Sequence, residues 1–198
     1  MAENGRWLVF TYGTLKRGQP NHQVLTDENG GTAEFIGEAR LKERYPLVIE
    51  SRYNIPFLLD AQGQGHRVLG ELYSVEASKL AALDELEAHP SFYRRREEAV
   101  TLCSHPDQGI WDSVDASKLA ALDELEAPPS FYRRRREEAV TLCSHPDQEV
   151  KAWVYLLPNF KPAMLQKPSL ESYESLGSHG KPYVNSDDIE SVDEIDIQ

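Results

Sequence analysis

The sequence predicts one compact domain that combines several β-strands with a single main helix. Short apolar runs with strand character occur near both ends of the chain, and a stretch between them that is rich in Ala, Leu and Glu has helical spacing. The chain has 198 residues, and a domain of this size buries about 70% of the surface that its unfolded form exposes. We therefore expect one hydrophobic core.

The first strand is predicted at residues 7–11 and leads into a turn formed by Tyr12, Gly13, Thr14 and Leu15. A glycine at position 13 permits a positive φ and the close approach of another molecule, so successive backbone N–H groups can converge on a carboxylate or a polarised carbonyl. An ordinary turn after an edge strand explains the same residues, because glycine-containing turns are common. The local pattern leaves a ligand pocket and a plain turn both open.

The main helix is predicted at residues 76–88, directly after a strand at residues 71–75. It must end near Pro90, because the residue before a proline avoids the helical conformation. Strand-like residues follow at 99–102, and the apolar run at 150–157 predicts a buried strand. The helix is therefore flanked by strands on both sides in the sequence.

A carboxylate lies on the apolar face of this helix. At about 100° per residue, Leu80, Leu83 and Leu86 form one stripe, and Glu87 falls inside it. Burying an isolated charge is costly, and desolvation raises the pKa of a carboxyl group towards values that suit a general base near neutral pH. A position at the rim of the stripe, or an ion pair with Arg94, is the alternative in which Glu87 has no catalytic role.

One segment of the chain is duplicated. Residues 74–108 recur as residues 113–148, and one added arginine and two replacements separate the copies, in which Glu76 becomes Asp115 and His89 becomes Pro128. Solenoid repeats diverge in sequence and need three or more units. We interpret the segment as a duplicated exon, or as alternative exons joined in one translation.

The duplication gives Glu87 a counterpart, Glu126, in the second copy. Residues 71–75 form a good strand leading into the first copy, whereas the residues before the second copy match them poorly, so we favour the first copy and Glu87. An arrangement that combines the first helix with the second strand stays open. We predict one domain at residues 1–185, with residues 109–148 as a duplicated segment within it.

Composition excludes several classes of partner. The formal net charge of −12 argues against nucleic acid and anionic membranes, which both require a basic face. Residues 186–198 hold six acidic groups and no basic one, and we predict a disordered acidic tail there. Neither a membrane-spanning apolar run nor an apolar signal segment is present, so we expect a cytoplasmic protein.

Cysteine and histidine usage predicts neither a disulfide framework nor a metal site. Cys103 and Cys143 occupy equivalent places in the two copies, which favours two free thiols. The six histidines are scattered, without the His-Glu-x-x-His or Cys-x-x-Cys spacing of zinc sites. We expect no metal.

Several motifs occur in one order along the chain. They are Tyr-Gly-Thr-Leu-Lys-Arg-Gly-Gln-Pro-Asn-His at 12–22, Tyr-Pro-Leu-Val-Ile at 45–49, Asn-Ile-Pro-Phe-Leu-Leu at 54–59, Gly-Glu-Leu-Tyr at 70–73 and Ser-Tyr-Glu-Ser at 172–175, followed by Gly177, His179, Gly180 and Tyr183. Together they resemble the γ-glutamylamine cyclotransferases, which belong to the wider γ-glutamylcyclotransferase-like family. The resemblance spans residues 7 to about 185.

The resemblance implies an α+β fold, with a small, mixed, strongly curved sheet or partial β-barrel and one principal helix. It implies an enzyme that converts L-γ-glutamylamines such as γ-glutamyl-ε-lysine to 5-oxo-L-proline and the free amine. Glu87, or Glu126 in the second copy, matches the catalytic acid/base of the family. We expect a monomer with a small-molecule substrate and no cofactor.

The same resemblance predicts the substrate-binding residues, which are Tyr12, Gly13, Thr14, Leu15, Asn54, Ile55 and Pro56. Phe57 stands where the family usually has tryptophan, which suggests a changed preference for the amine. Three alternatives are a cyclotransferase for another γ-glutamyl compound, a catalytically silent binding protein in which the duplication displaces Glu87, and a misfolded product of a faulty gene model.

Overall fold

The computed structural model describes residues 6–103 and 149–185. The strands are β1 (Arg6–Thr11), β2 (Ala33–Leu41), β3 (Leu47–Glu50), β4 (Ile55–Leu58), β5 (Leu69–Glu76), β6 (Arg94–Leu102) and β7 (Glu149–Leu156). The helices are α1 (Gln23–Thr26) and α2 (Ala77–Leu86), with short 3-10 helices at Glu28–Gly30 and Pro162–Gln166.

Five strands form a closed barrel in the order β1–β5–β2–β6–β7. Neighbouring strands are antiparallel except for β1 and β7, whose parallel pairing at Val9 and Trp153 closes the barrel. Strands β3 and β4 form a separate antiparallel ribbon. Helix α2, with ten residues, is the longest helix in the described part of the chain. The predicted α+β fold, with a mixed curved sheet and one principal helix, is confirmed.

Both faces of the barrel strands are buried on the side that carries α2. Successive residues of a strand point to opposite faces, so Val9 and Tyr73 pack in one apolar cluster with α2, while Phe10 and Leu72 pack in another that draws on all five barrel strands. Full burial of a large apolar side chain stabilises the fold by about 1.5–3 kcal/mol. The position of α2 on the barrel is therefore fixed by its leucines.

The apolar stripe of α2 is shorter than predicted. Leu80 and Leu83 are buried, but Leu86 is 49% exposed, so its predicted place in the buried stripe is wrong. The helix ends at Leu86, and Glu87 is its C-cap. The chain leaves the helix one turn beyond Leu83, so the buried face stops there.

A Schellman motif ends α2. Ala88 has a φ of +47°, its N–H donates to the Glu85 carbonyl at 3.1 Å, and the His89 N–H donates to the Asp84 carbonyl at 2.8 Å. This pair of bonds satisfies carbonyls that a helix end otherwise leaves without donors. The helix therefore stops two residues earlier than predicted, through backbone geometry rather than at Pro90.

A buried lysine on α2 ties the helix to α1. Lys79 is 1% exposed, and its ammonium donates to the backbone carbonyls of Val24 at 2.8 Å and Asp27 at 2.5 Å. These carbonyls lie at the C-terminal end of α1, where a cation is favourable. The sequence pattern did not indicate this contact, because lysine is rarely fully buried.

The first copy of the duplicated segment supplies both α2 and β6. Strand β6 pairs with β7 from Arg94 opposite Leu156 to Thr101 opposite Glu149, so in the described chain the first helix goes with the first strand. Glu126, Cys143, residues 109–148 and the predicted acidic tail lie outside the described residues. No helix in the described ranges is long and apolar enough to cross a membrane.

Candidate active site

A cavity of about 340 Å³ opens where β1, its following turn, the start of β4 and the C-terminal end of α2 meet. It is lined by Val9, Phe10, Thr11, Tyr12, Gly13, Thr14, Leu15, Asn21, Ile55, Pro56, Phe57, Leu86, Glu87, Ala88, Phe92, Tyr93, Tyr155 and Tyr183. The volume suits a small ligand, and the lining is mainly apolar with a few polar groups, as in most small-molecule sites.

The structure brings most of the predicted site residues together. Residues 12–15, Ile55, Pro56 and Glu87 all line this cavity, although they come from distant parts of the sequence. Asn54 does not line it. Its side-chain amide instead donates to the Pro182 carbonyl at 2.7 Å, which holds the C-terminal segment beside the cavity.

Among the described residues, Glu87 is the one carboxylate on the cavity wall. Its backbone N–H donates to the Leu83 carbonyl at 2.9 Å, and its carbonyl accepts from the Tyr93 N–H at 3.3 Å, so the backbone on both sides of the carboxylate is fixed. Desolvation by burial raises the pKa of Glu87 from 4.5 to about 7. No Lys, Arg or His lines the cavity in the described chain, so the raised pKa is not offset by a nearby cation.

The alternative partner for Glu87, Arg94, is exposed at the start of β6. The next residue, Arg95, binds a different carboxylate, since its guanidinium donates to Asp84 at 2.7 Å. The Tyr155 hydroxyl donates to the same carboxylate at 2.7 Å. Asp84 is thus neutralised by its own partners one turn before Glu87, and it joins the end of α2 to β6 and β7.

Two buried tyrosines form the wall beside Glu87. Burial raises the pKa of Tyr12 and of Tyr93 well above the ordinary value, and the negative charge of Glu87 raises both further. The Tyr12 hydroxyl donates to the Tyr155 carbonyl at 2.9 Å. Phe57 stacks on Tyr93 with the ring centres 6.1 Å apart. Both tyrosines therefore stay neutral at physiological pH and present fixed aromatic faces to the cavity.

Gly13 is needed for close packing rather than for a positive φ. It is absent from the glycines with positive φ, so that part of the sequence-based argument is wrong. A Cβ at this position would lie 2.9 Å from Cγ of Pro56, closer than ordinary van der Waals contact. The glycine therefore lets the turn after β1 pack directly on the ribbon that carries Pro56.

The turn after β1 presents free amides. Within residues 6–103 and 149–185, the backbone N–H groups of Gly13, Thr14 and Leu15 have no acceptor. The turn is braced by Asn21, whose N–H donates to the Thr14 carbonyl at 2.9 Å and whose side-chain amide donates to the Thr14 hydroxyl at 3.0 Å. Fixed amides without partners at a cavity wall are suited to bind an anionic oxygen.

A buried carboxylate on β5 anchors the loop that contains these amides. Glu71 is 7% exposed and accepts from the Arg17 N–H at 2.9 Å, the Arg17 Nε at 3.1 Å and the Tyr73 hydroxyl at 2.8 Å. The Arg17 guanidinium also lies 3.7 Å from the centre of the Phe35 ring. The motif at residues 70–73 contained Glu71, but its sequence gave no indication of a partner in the first loop.

Nothing in the described ranges forms a group of three or more His, Cys, Asp or Glu side chains that could hold a metal ion. Cys103 is a free thiol in this part of the chain, and burial raises its pKa. Among the described residues, the cavity wall presents one desolvated carboxyl group, a set of backbone amides and a neutral aromatic wall.

The chain belongs to the family described as gamma-glutamyl cyclotransferase, AIG2-like, whose model matches residues 9–112 and 107–175. The two matches overlap at residues 107–112, directly before the second copy of the duplicated segment, which begins at residue 113. The resemblance drawn from the motifs is confirmed, and the fold is that of the γ-glutamylcyclotransferase-like family.

Similar proteins cover nearly the whole chain. It is 38% identical over 180 residues to gamma-glutamylaminecyclotransferase C of Danio rerio, across 91% of this chain and 94% of that protein. It is 38% identical over 176 residues to gamma-glutamylaminecyclotransferase of Homo sapiens, across 89% and 95%. The crystal structure of an AIG2-like protein from Mus musculus matches with a TM-score of 0.69 and 34% identity, across 93% of this chain and 99% of that one.

Proposed function

We propose that this protein is a γ-glutamylamine cyclotransferase, which converts L-γ-glutamylamines such as γ-glutamyl-ε-lysine to 5-oxo-L-proline and the free amine. The observation that carries the proposal is Glu87, a desolvated carboxyl group on the wall of a small-molecule cavity, with a pKa of about 7. A group with this pKa is divided between its basic and acidic forms at neutral pH, which suits it to move protons in both directions.

In the proposed reaction, ionised Glu87 takes a proton from the α-ammonium group of the substrate. The freed nitrogen attacks the γ-carbonyl carbon, and a five-membered ring closes through a tetrahedral intermediate. Glu87 then gives its proton to the departing nitrogen as the amide C–N bond breaks. The ring nitrogen loses a second proton as the lactam forms, and the released amine gains one to become an ammonium ion.

The amides of Gly13, Thr14 and Leu15 are proposed to bind the oxyanion of the intermediate or the α-carboxylate of the substrate. One such donor typically contributes about 3 kcal/mol to the transition state. Because the attacking and attacked groups belong to one molecule, orienting the γ-glutamyl arm against the cavity wall supplies a further part of the rate enhancement. No cofactor takes part in these steps.

The first experiment is to incubate the purified 198-residue chain with γ-glutamyl-ε-lysine and to measure the release of 5-oxoproline. We expect turnover by the wild type and loss of at least about a thousandfold in kcat for Glu87→Gln, because the amide cannot accept the proton. Glu126→Gln is the matched control, since it changes the equivalent glutamate of the second copy. We expect this variant to keep full activity.

Other outcomes would change the proposal in defined ways. Loss of activity in Glu126→Gln alone would move the catalytic role to the second copy. Turnover of γ-glutamyl dipeptides or glutathione without turnover of the amine conjugate would change the substrate class. A folded chain that binds γ-glutamylamines equally well with and without Glu87 and releases no 5-oxoproline would be a binding protein.

We further propose that the protein acts in the cytoplasm, on γ-glutamyl-ε-lysine released when transglutaminase cross-links are degraded. The resemblance of the motifs supports this substrate, and the acidic chain without a disulfide framework supports the compartment. Fractionation of cells that express a tagged chain tests the location, and recovery of the tag in a secreted or membrane fraction would contradict it.

A further inference from the structure

An exposed leucine lines the active-site cavity. Among the described residues, the large hydrophobic side chains that are exposed are Leu86, at 49%, and Leu176, at 90%. Leu86 lines the cavity and Leu176 does not. Leu86 therefore has an apolar surface that the fold leaves uncovered beside the proposed catalytic carboxylate.

Leu86 lies where the amine half of the substrate is expected to bind. If Glu87 protonates the departing amine, the substituent on that amine must lie next to Glu87. The residues on either side, Leu86 and Ala88, both line the cavity and are both exposed. With the partly buried Phe92, they give the amine side of the cavity an apolar rim.

The charges on the cavity wall also favour an apolar substituent on the amine. Its described lining contains one carboxylate, Glu87, and no Lys, Arg or His. The carboxylate and ammonium of a γ-glutamyl group have proposed partners in the turn amides and in Glu87. A second pair of charges, such as the α-carboxylate and α-ammonium of lysine, has no further counter-charge among the described lining residues, whereas an alkyl or arylalkyl group has apolar partners there.

Building on the proposed function, we infer that Leu86 is a specificity-determining residue that favours γ-glutamyl conjugates of apolar monoamines over conjugates of amines with a charged head group. Contact with the substituent removes apolar surface of both Leu86 and the ligand from water. The preference is expected mainly in KM, because the contact is present in both the bound substrate and the transition state.

The test compares kcat/KM for γ-glutamyl-hexylamide and γ-glutamyl-ε-lysine in the wild type, Leu86→Ala, Leu86→Gln and Leu176→Ala. We expect the wild type to turn over both compounds and to favour the hexylamide about tenfold, and both Leu86 variants to reduce this ratio about fivefold, within the range for small changes of apolar contact. Leu86→Gln keeps the side-chain size but not its apolar surface. Leu176→Ala removes the other exposed leucine and should leave the ratio unchanged.

Unfolding curves of the variants check that the fold is intact, which we expect because both leucines are exposed. Equal ratios in the wild type and the Leu86 variants, or an equal fall in Leu176→Ala, would overturn the inference while leaving the cyclotransferase activity in place. If neither compound is turned over, the proposed function fails, and calorimetric binding of the two compounds decides the inference. Tighter hexylamide binding that is lost in Leu86→Ala would support it, and equal binding would overturn it.

Discussion

At the scale of single residues, the site depends on a carboxyl group held in an unfavourable environment. Burial raises the pKa of Glu87 to about 7, so its ionised form is less stable in the folded protein than in the unfolded chain. Because one pKa unit corresponds to about 1.4 kcal/mol, the difference from the ordinary value amounts to about 3 kcal/mol of folding free energy above pH 7. The proposed catalytic function of Glu87 therefore opposes the stability of the fold.

Because ionised Glu87 destabilises the folded protein, Glu87→Gln is predicted to stabilise it at pH 8. When folding raises the pKa of a group, the stability that its protonated form contributes is fully present below the pKa of the unfolded chain. This stability is lost as the pH rises through the pKa of the folded protein. The free energy of unfolding, measured in urea, should exceed that of the wild type by up to about 3 kcal/mol at pH 8. The two proteins should be equally stable near pH 4.5, and a difference independent of pH would contradict the assigned pKa.

A second prediction concerns Ala88, whose positive φ ends α2. Glycine adopts this conformation without the steric cost that alanine has, so Ala88→Gly should raise the free energy of unfolding by about 0.5–1 kcal/mol. Ala81→Gly is the matched control, since Ala81 is exposed inside the same helix. It should lower stability by about 1 kcal/mol. Urea unfolding at one pH gives both values, and changes of the same sign would contradict the role of the Schellman motif.

At the scale of elements, the turn that carries the free amides is held in place by residues from other parts of the chain. Glu71 on β5 binds both the backbone and the side chain of Arg17, and Asn21 braces Thr14. The turn after β1 therefore depends on a strand that follows about fifty residues later in the chain. Its geometry is a tertiary feature rather than a local one.

Replacing Glu71 by Gln is predicted to loosen this turn. The amide group cannot satisfy all three donors that the carboxylate binds, so we expect a loss of about 1–3 kcal/mol in stability and about a tenfold fall in kcat/KM for γ-glutamyl-ε-lysine. Glu76→Gln is the control, because Glu76 lies at the end of the same strand and its side chain is 42% exposed. Steady-state kinetics and urea unfolding measure both effects, and equal behaviour of the two variants would contradict the anchoring role of Glu71.

Helix α2 shows how far the sequence could predict the structure. Helical spacing identified the helix and its buried Leu80 and Leu83, and the same spacing pointed to Glu87. The helical spacing failed to predict that Leu86 is exposed. The helix ends at this residue, whereas a prediction from ideal spacing assumes that the helix continues. The partners of Lys79 and Glu71 could not be predicted either, since each contact joins residues more than fifty positions apart and leaves no periodic pattern in the sequence.

At the scale of the whole molecule, the two ends of the β6–β7 hairpin have different roles. Arg94 and Leu156 pair at the end next to the cavity, while Thr101 and Glu149 pair at the other end, seven residues further along each strand. At about 3.3 Å per residue the two ends are roughly 23 Å apart. The described strands therefore end, at Leu102 of β6 and Glu149 of β7, far from the candidate active site.

Deleting residues 109–148 is therefore predicted to leave activity intact. The described ends of β6 and β7 lie away from the cavity, and the deletion joins Gln108 to Glu149 with residues 103–108 as the remaining connection. Short hairpin connections are compatible with antiparallel pairing. The shortened chain should keep kcat/KM for γ-glutamyl-ε-lysine within about threefold. A loss of activity in a folded shortened chain would show that the second copy contributes to catalysis.

The hairpin geometry also bears on how the second copy can evolve. Under the proposal that Glu87 is catalytic, selection for catalysis acts on the residues that build the cavity, and the described ends of β6 and β7 that flank the second copy lie away from them. One of the two replacements between the copies falls on His89, whose Nδ1 accepts the Arg95 N–H at 3.2 Å in the first copy. The proline at position 128 cannot make that contact. The second copy therefore cannot reproduce every contact of the first, and under the proposal that Glu87 is catalytic its replacements can accumulate without changing the described cavity wall.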